Sequence, residues 1–175
     1  IILLCVTGAP QVESVLTGAD GLITGLKPGS IVIDCSTSIP SSTQKLAKLV
    51  TAAGSVLIDA AMTRTPKEAA EGRLNLLVGS DARTFEAVKP VLDCFAENIH
   101  HMGEVGAGHQ MKLLHNYVSL GTVTVIAEAA ACARKSGIAP EEFVDVLHKG
   151  GGWGAALERL KPYLLNDGDT SNQIG

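Results

Sequence analysis

Lys112 and Asn116 stand four residues apart, directly after Gly106-Ala107-Gly108, in an otherwise apolar stretch. On a helix that spacing puts both side chains on one face. A lysine among apolar neighbours is costly unless it is paired or functional. Desolvation lowers its pKa, as a general acid or base working near neutral pH requires. Asn116 can both donate to and accept from a substrate hydroxyl or carbonyl. The same two residues equally suit a lysine snorkelling to solvent beside a helix-packing Asn, and both readings stand at this point. His109 and His115 are six apart and do not share a helix face, so no metal site is expected there. His100 and His101 have no convincing Cys or carboxylate partner for nucleophilic catalysis.

Three further polar clusters follow short apolar runs. They are Val6-Thr7-Gly8-Ala9-Pro10-Gln11, Asp34-Cys35-Ser36-Thr37-Ser38-Ile39-Pro40 and Asp59-Ala60-Ala61-Met62-Thr63-Arg64-Thr65-Pro66. Open α/β sheets bind ligands outside the carboxyl ends of their strands. Hydroxyls, backbone amides and Arg64 converging there would suit an anionic, hydroxylated small molecule, with Arg64 matched to a carboxylate. Taken singly, each cluster also reads as helix caps and turns; three together favour a site. Gly150-Gly151-Gly152-Trp153-Gly154-Ala155 imitates a dinucleotide fingerprint but follows a helical segment, so it is read as a turn between helices.

The elements that must position these groups alternate along the first hundred residues. Ile1–Val6, Ser30–Asp34, Val56–Ala60, Leu74–Gly79 and Asn98–Met102 read as strands. Pro10–Thr17, the stretch after Pro40, a short turn or helix over Lys67–Arg73 and Ala82–Ala96 read as helices, with Asp81 as a cap. Such alternation implies a largely parallel, doubly wound sheet. Beyond Gly103, Gly106 and Gly108 the strand signals stop. From His109 to Ser136 there is no Pro and one Gly, a helix of ~40 Å at 1.5 Å per residue. Its few charges predict that most of its circumference is buried. Helices over Glu141–Lys149 and Gly154–Leu165 follow, with Pro140 at a helix start. The boundary is expected near residue 104, giving an α/β part over 1–104 and an all-helical part over 105–175.

Composition narrows the rest. The 175 residues are 46% apolar, 18% charged and 3% aromatic, with a formal charge of −4. A mean hydropathy of +0.24 argues against disorder, and pI near 5.7 offers no nucleic-acid footprint. No apolar run reaches the ~18–20 residues that span a bilayer. Cys5, Cys35, Cys94 and Cys132 are widely spaced, and we expect reduced core residues in a reducing, cytoplasmic setting. The start at Ile1-Ile2-Leu3-Leu4-Cys5-Val6 reads as a buried strand whose preceding chain is absent, not as a signal peptide. The stop at Asn172-Gln173-Ile174-Gly175 is equally abrupt.

In this order the motifs resemble the β-hydroxyacid dehydrogenase family, which includes 3-hydroxyisobutyrate, tartronate semialdehyde, sulfolactaldehyde and 6-phosphogluconate dehydrogenases or reductases. The matching pieces are Asp34-Cys35-Ser36-Thr37, Asp59 to Thr65, Gly72-Arg73-Leu74 leading to Val78-Gly79-Ser80-Asp81, and Gly106-Ala107-Gly108 with Lys112 and Asn116. The resemblance implies a Rossmann-like cofactor domain, here without its first βαβ unit, then a long helix and part of an all-α domain. It implies NAD or NADP, with Lys112 as the proton-transfer residue and Asn116 beside it. Ser36, Thr63, Arg64, Thr65 and Asn116 would then hold the substrate, a small anionic hydroxyacid or semialdehyde. Val6, Thr7, Gln11 and Thr37 would line the nicotinamide ribose and phosphate side. A homo-oligomer, dimer or tetramer, is implied, with neither nucleic acid nor membrane as partner. Most members read Ser-Gly-Gly where this chain has Thr63-Arg64-Thr65, which implies a substrate with an additional or stronger anion. Ala61 replaces a usual Pro, and Val6-Thr7 a usual Leu-Pro. The alternative is a non-catalytic homologue that keeps the fold as a binding or oligomerisation module.

Overall fold

Val32, Ile33, Leu57, Ile58, Leu76 and Val78 are all buried, and successive residues of a strand face opposite sides of its sheet. Strands covered on both faces read as continuous apolar runs, and here they do. The structure, a computed structural model, describes residues 1–166. The abrupt stop at Asn172–Gly175, and the last residues of the expected 105–175 segment, lie outside the described residues. The chain forms two compact units, a first of Ile1–Leu114 and a second beginning at His115.

In the first unit β1 (Ile2–Leu4), β2 (Ile31–Asp34), β3 (Val56–Thr63), β4 (Leu74–Gly79) and β5 (Ala96–Gly103) lie side by side in chain order. Helices α1 (Ala9–Thr17) and α2 (Pro40–Ala52) cover one face, where Val12, Leu16, Leu46 and Val50 pack on Leu4, Val32 and Leu57. Helix α4 (Ala82–Leu92) covers the other, setting Val88 and Leu92 against Ile33, Ile58, Leu76 and Val78. Each such aliphatic side chain contributes about 1.5–3 kcal/mol on burial. The mostly parallel sheet with helices on both faces is the Rossmann-like architecture expected.

Two strands, β4 and β5, run opposite to β1, β2 and β3. β3 and β4 run antiparallel. Their connection holds only the short helix α3 (Pro66–Ala70), and a parallel crossover needs a dozen or more residues. β2 pairs with Val56–Asp59, while β4 pairs with Asp59–Thr63. The sheet is therefore two staggered halves that share β3. A single row, Leu4–Asp34–Asp59–Gly79–Gly103, crosses every strand at the step.

Several expectations need correction. β1 pairs on one side only, with Leu4 buried and Ile1 and Leu3 exposed. The fourth helix ends at Leu92, not Ala96, two residues after Pro90 removes a backbone donor, and Ala96 opens β5. Of the four cysteines, all free, only Cys35 is buried. Cys5 follows the edge strand, Cys94 follows the end of α4, and Cys132 lies on an uncovered helix face.

The long helix α5 (Ala107–Lys135) has 29 residues, begins in the first unit and continues into the second. In the second unit it packs with α6 (Pro140–Lys149) and α7 (Ala155–Leu165), through Ile126, Leu157 and Leu160 against Val123, Phe143, Leu147 and Leu164. Glu141 and Glu142 in the first turn of α6, with His148 and Lys149 in its last, complement the helix dipole. The expected burial around α5 is not found. Tyr117 is 81% exposed, Val125 65% and Val118 64%. A scarcity of charge tells that a face avoids water, but not that the same chain covers it.

Candidate active site

The strand ends meet the start of α5 around one carboxylate. Asp59 sits at the step in the sheet, fully buried, and accepts the Gly106 N–H on Oδ1 at 2.6 Å and the His109 N–H on Oδ2 at 2.7 Å. It therefore satisfies two of the donors that the first turn of a helix leaves unpaired. Burial pushes the Asp59 carboxyl above its ordinary pKa, and the two N–H bonds draw it part of the way back. Glycine is required on both sides. A Cβ on Gly108 would lie 2.1 Å from the Leu77 carbonyl oxygen, and one on Gly79 would lie 2.4 Å from Asp59 Oδ1.

His109, also fully buried, ties the same turn to β2. Its Nε2 lies 3.0 Å from the Ser36 carbonyl oxygen, which can only accept, so Nε2 carries a proton. Its Nδ1 lies 2.7 Å from Thr43 Oγ1 at the start of α2. Ser36 Oγ in turn accepts the Val6 N–H at 3.0 Å, joining the ends of β1 and β2. The hydroxyl proton of Ser36 is left to donate. Asp34 Oδ1 accepts the Ser36 N–H at 2.9 Å and fixes that corner.

Lys112 is half-buried on α5, one turn beyond His109. Among the described residues its amine has no ion pair or side-chain hydrogen bond, and desolvation lowers its pKa. Asn116 follows four residues on along the helix, half-buried, in the second unit. Thr7, Gln11 and Thr37 are exposed, at the start of α1 and in the loop from β2 to α2.

The third cluster is placed differently from the expectation. β3 runs four residues past its last pair with β2, so Thr63, buried, stands ~13 Å along the strand from Asp59. Arg64 turns toward β4 and β5. It pairs with Glu97 and donates to the Arg73 carbonyl oxygen at 2.6 Å, and this arginine holds the Glu97 carboxyl below its ordinary pKa. Its φ of 84° lies in the left-handed region that glycine adopts freely. Thr65 forms a capping box with Glu68 at the start of α3, the capping role weighed above. The structure thus joins Val6, Ser36 and the start of α5, while the described contacts of Arg64 and Thr65 lie elsewhere.

Asp59, His109 and Thr43 were missed as a unit. The signal for Asp59 was a charge inside an apolar strand, and for α5 two glycines flanking its start. Nothing in the spacing announced that strand and helix would meet. Around the same corner Cys35 is buried, and burial pushes its thiol up to about 12. At pH 8 a maleimide should therefore label Cys5, Cys94 and Cys132 in the native chain and leave Cys35 untouched until denaturant is added. Mass mapping of the labelled peptides checks this, and native labelling of Cys35 would show that its corner opens. No group of three or more His, Cys, Asp or Glu residues suited to a metal exists among the described residues.

The strand ends of a Rossmann-like sheet thus converge on a buried helix start. The profile of the NAD binding domain of 6-phosphogluconate dehydrogenase matches residues 1–103. That of the NAD-binding domain of NADP-dependent 3-hydroxyisobutyrate dehydrogenase matches residues 106–173. The 2-(hydroxymethyl)glutarate dehydrogenase of Eubacterium barkeri is 32% identical over 97% of this chain and 56% of its own length. The 3-hydroxyisobutyrate dehydrogenase of Pseudomonas aeruginosa is 31% identical over 98% of this chain and 58% of its own. The Mycobacterium tuberculosis 3-hydroxyisobutyrate dehydrogenase solved with L-serine superimposes with a TM-score of 0.83 at 28% identity, over 91% of this chain and 54% of that one. The chain belongs to the β-hydroxyacid dehydrogenase family, and it spans about half the length of the relatives it matches.

Proposed function

We propose that the complete protein is an NAD(P)-dependent oxidoreductase of small hydroxyacids or their semialdehydes, with Lys112 as its general acid and base. One observation carries the reading: Lys112 presents a half-buried amine, without an ion pair among the described residues, on a helix anchored at the strand ends. A cofactor of this kind supplies a nicotinamide that gives or takes hydride. The chain's own residues fit such a group. Helices α1 and α2 follow the ends of β1 and β2 and start without side-chain caps, as α6 and α7 also do. Ser38 Oγ, in the loop entering α2, is buried without a partner. Val6, Thr7, Gln11 and Thr37 would hold the nicotinamide side, and Ser36, Thr63, Arg64, Thr65 and Asn116 the substrate. For Arg64 this requires release from Glu97.

The reading extends to organisation. Residues 1–104 would be part of the cofactor domain and 105–175 part of the helical domain, in a cytoplasmic dimer or tetramer. No helix among the described residues is long and apolar enough to cross a membrane. Either NAD or NADP would serve. The test is a panel of small hydroxyacids and semialdehydes, assayed with both cofactors on the complete protein while nicotinamide fluorescence follows binding. Binding with turnover of at least one substrate is expected. Absence of both across the panel would establish the scaffold alternative.

A further inference from the structure

The mechanism proposed above makes the placement of one amine decisive, and that amine sits on a helix whose start is held by a residue from a distant strand. Asp59 is 47 residues before Gly106 and 50 before His109, so it is not a local cap. Both of its oxygens are engaged, one by each N–H. Two glycines clear the space: a Cβ at Gly79 or at Gly108 would lie within 2.8 Å of the carboxylate. His109 then fastens the turn to the Ser36 carbonyl just beyond β2 and to Thr43 of α2. The first turn of α5 is thus fixed to three elements at once.

We propose that Asp59 is the positioning residue for Lys112: its buried carboxylate locks the first turn of α5 onto the sheet and so sets where the amine stands. The proposal rests on the reading of Lys112 as the proton-transfer group. Lys112 is three residues, about one turn, beyond His109, so any shift or fraying of that turn is passed to the amine. A displacement of ~1 Å at a reacting group can cost ~100-fold in rate. The ionised carboxylate is specifically suited, because two N–H donors need two acceptors. An amide of the same shape offers one acceptor and turns its NH2 against the second donor.

The experiment compares wild type, Asp59→Asn and Lys112→Ala in the complete protein. It measures kcat, KM, the dissociation constant of reduced cofactor, and Tm. Asp59→Asn is expected to lower kcat about 10–100-fold while KM and cofactor affinity change less than about threefold. A purely architectural Asp59 would lower Tm and leave the kcat of the folded variant at the wild-type value, and that result overturns the proposal. Lys112→Ala separates the two readings. If Lys112→Ala is as fast as wild type, the function assigned to Lys112 fails and the proposal falls with it. If Lys112→Ala is slow and Asp59→Asn is fast, only the positioning role is lost. Should Asp59→Asn not fold, hydrogen exchange on the wild type decides. The Gly106 and His109 amides should exchange only through global unfolding, and exchange through local opening counts against the lock.

Discussion

Replacing Lys112 by Ala in the complete protein will lower kcat by about 100- to 10,000-fold, the usual contribution of a positioned general acid or base. Cofactor binding should survive, because Val6, Thr7, Gln11 and Thr37, the residues proposed to hold the nicotinamide side, are untouched. The pH dependence of the wild type has a determined sign. Burial lowers the pKa of Lys112 below the ordinary lysine value. In the proposed role, oxidation of a hydroxyacid needs the neutral amine as base, so its rate will rise with pH, with a limb below the normal lysine range. Reduction needs the ammonium as acid, so its rate will fall across the same limb. Rate profiles in both directions check this, and Lys112→Ala should abolish the shared limb. A variant that keeps both limb and rate would place the proton transfer on another residue.

The second large effect is on stability. Gly108→Ala puts a Cβ 2.1 Å from the Leu77 carbonyl oxygen and 2.8 Å from Asp59 Oδ2. Neither neighbour can give way, since Leu77 is backbone within β4 and Asp59 is bonded on both oxygens. A loss of about 3 kcal/mol or more is expected. For a chain of this size that is a Tm lower by ~6–12 °C. Gly121, on the same helix, is the internal control, because a Cβ there meets nothing within 4 Å. Gly121→Ala should raise stability by up to about 1 kcal/mol through helix propensity alone. Thermal denaturation of both variants separates close packing from propensity. Equal Tm values for the two would show that the start of α5 does not lie against β4 as described.

The residues that the sequence makes legible are those governed by local pattern. The alternating runs located all five strands, and Pro40, Asp81 and Pro140 marked helix starts because capping and proline chemistry act within one turn. Lys112 was recognisable for the same reason: a charge in an apolar helix is conspicuous without any tertiary contact. Features that depend on distant pairing were not legible. The reversal of β4 follows from a connection too short for a crossover, which shows once the lengths of β3 and α3 are known. Arg64 looked available for a carboxylate because Glu97 lies 33 residues away in sequence. Asp59 and His109 looked like parts of two unrelated motifs. The uncovered length of α5 is a fact about surfaces, and residue spacing along one helix carries none of it.

The strand order has a consequence in time as well as in space. Each strand from β2 to β5 pairs with the strand before it in the chain, so every pairing in the sheet is made across a single connection, the parallel ones across a helix. Asp59 is the exception within it. Its carboxylate is set in place when β2 and β3 pair, but both of its donors lie some fifty residues downstream. Until they arrive it must remain in water or take up a proton, since a dry, unpaired carboxylate is too costly. Burying Asp59 as a carboxylate therefore requires the lysine-bearing turn to be docked, so the charge and the turn leave solvent together.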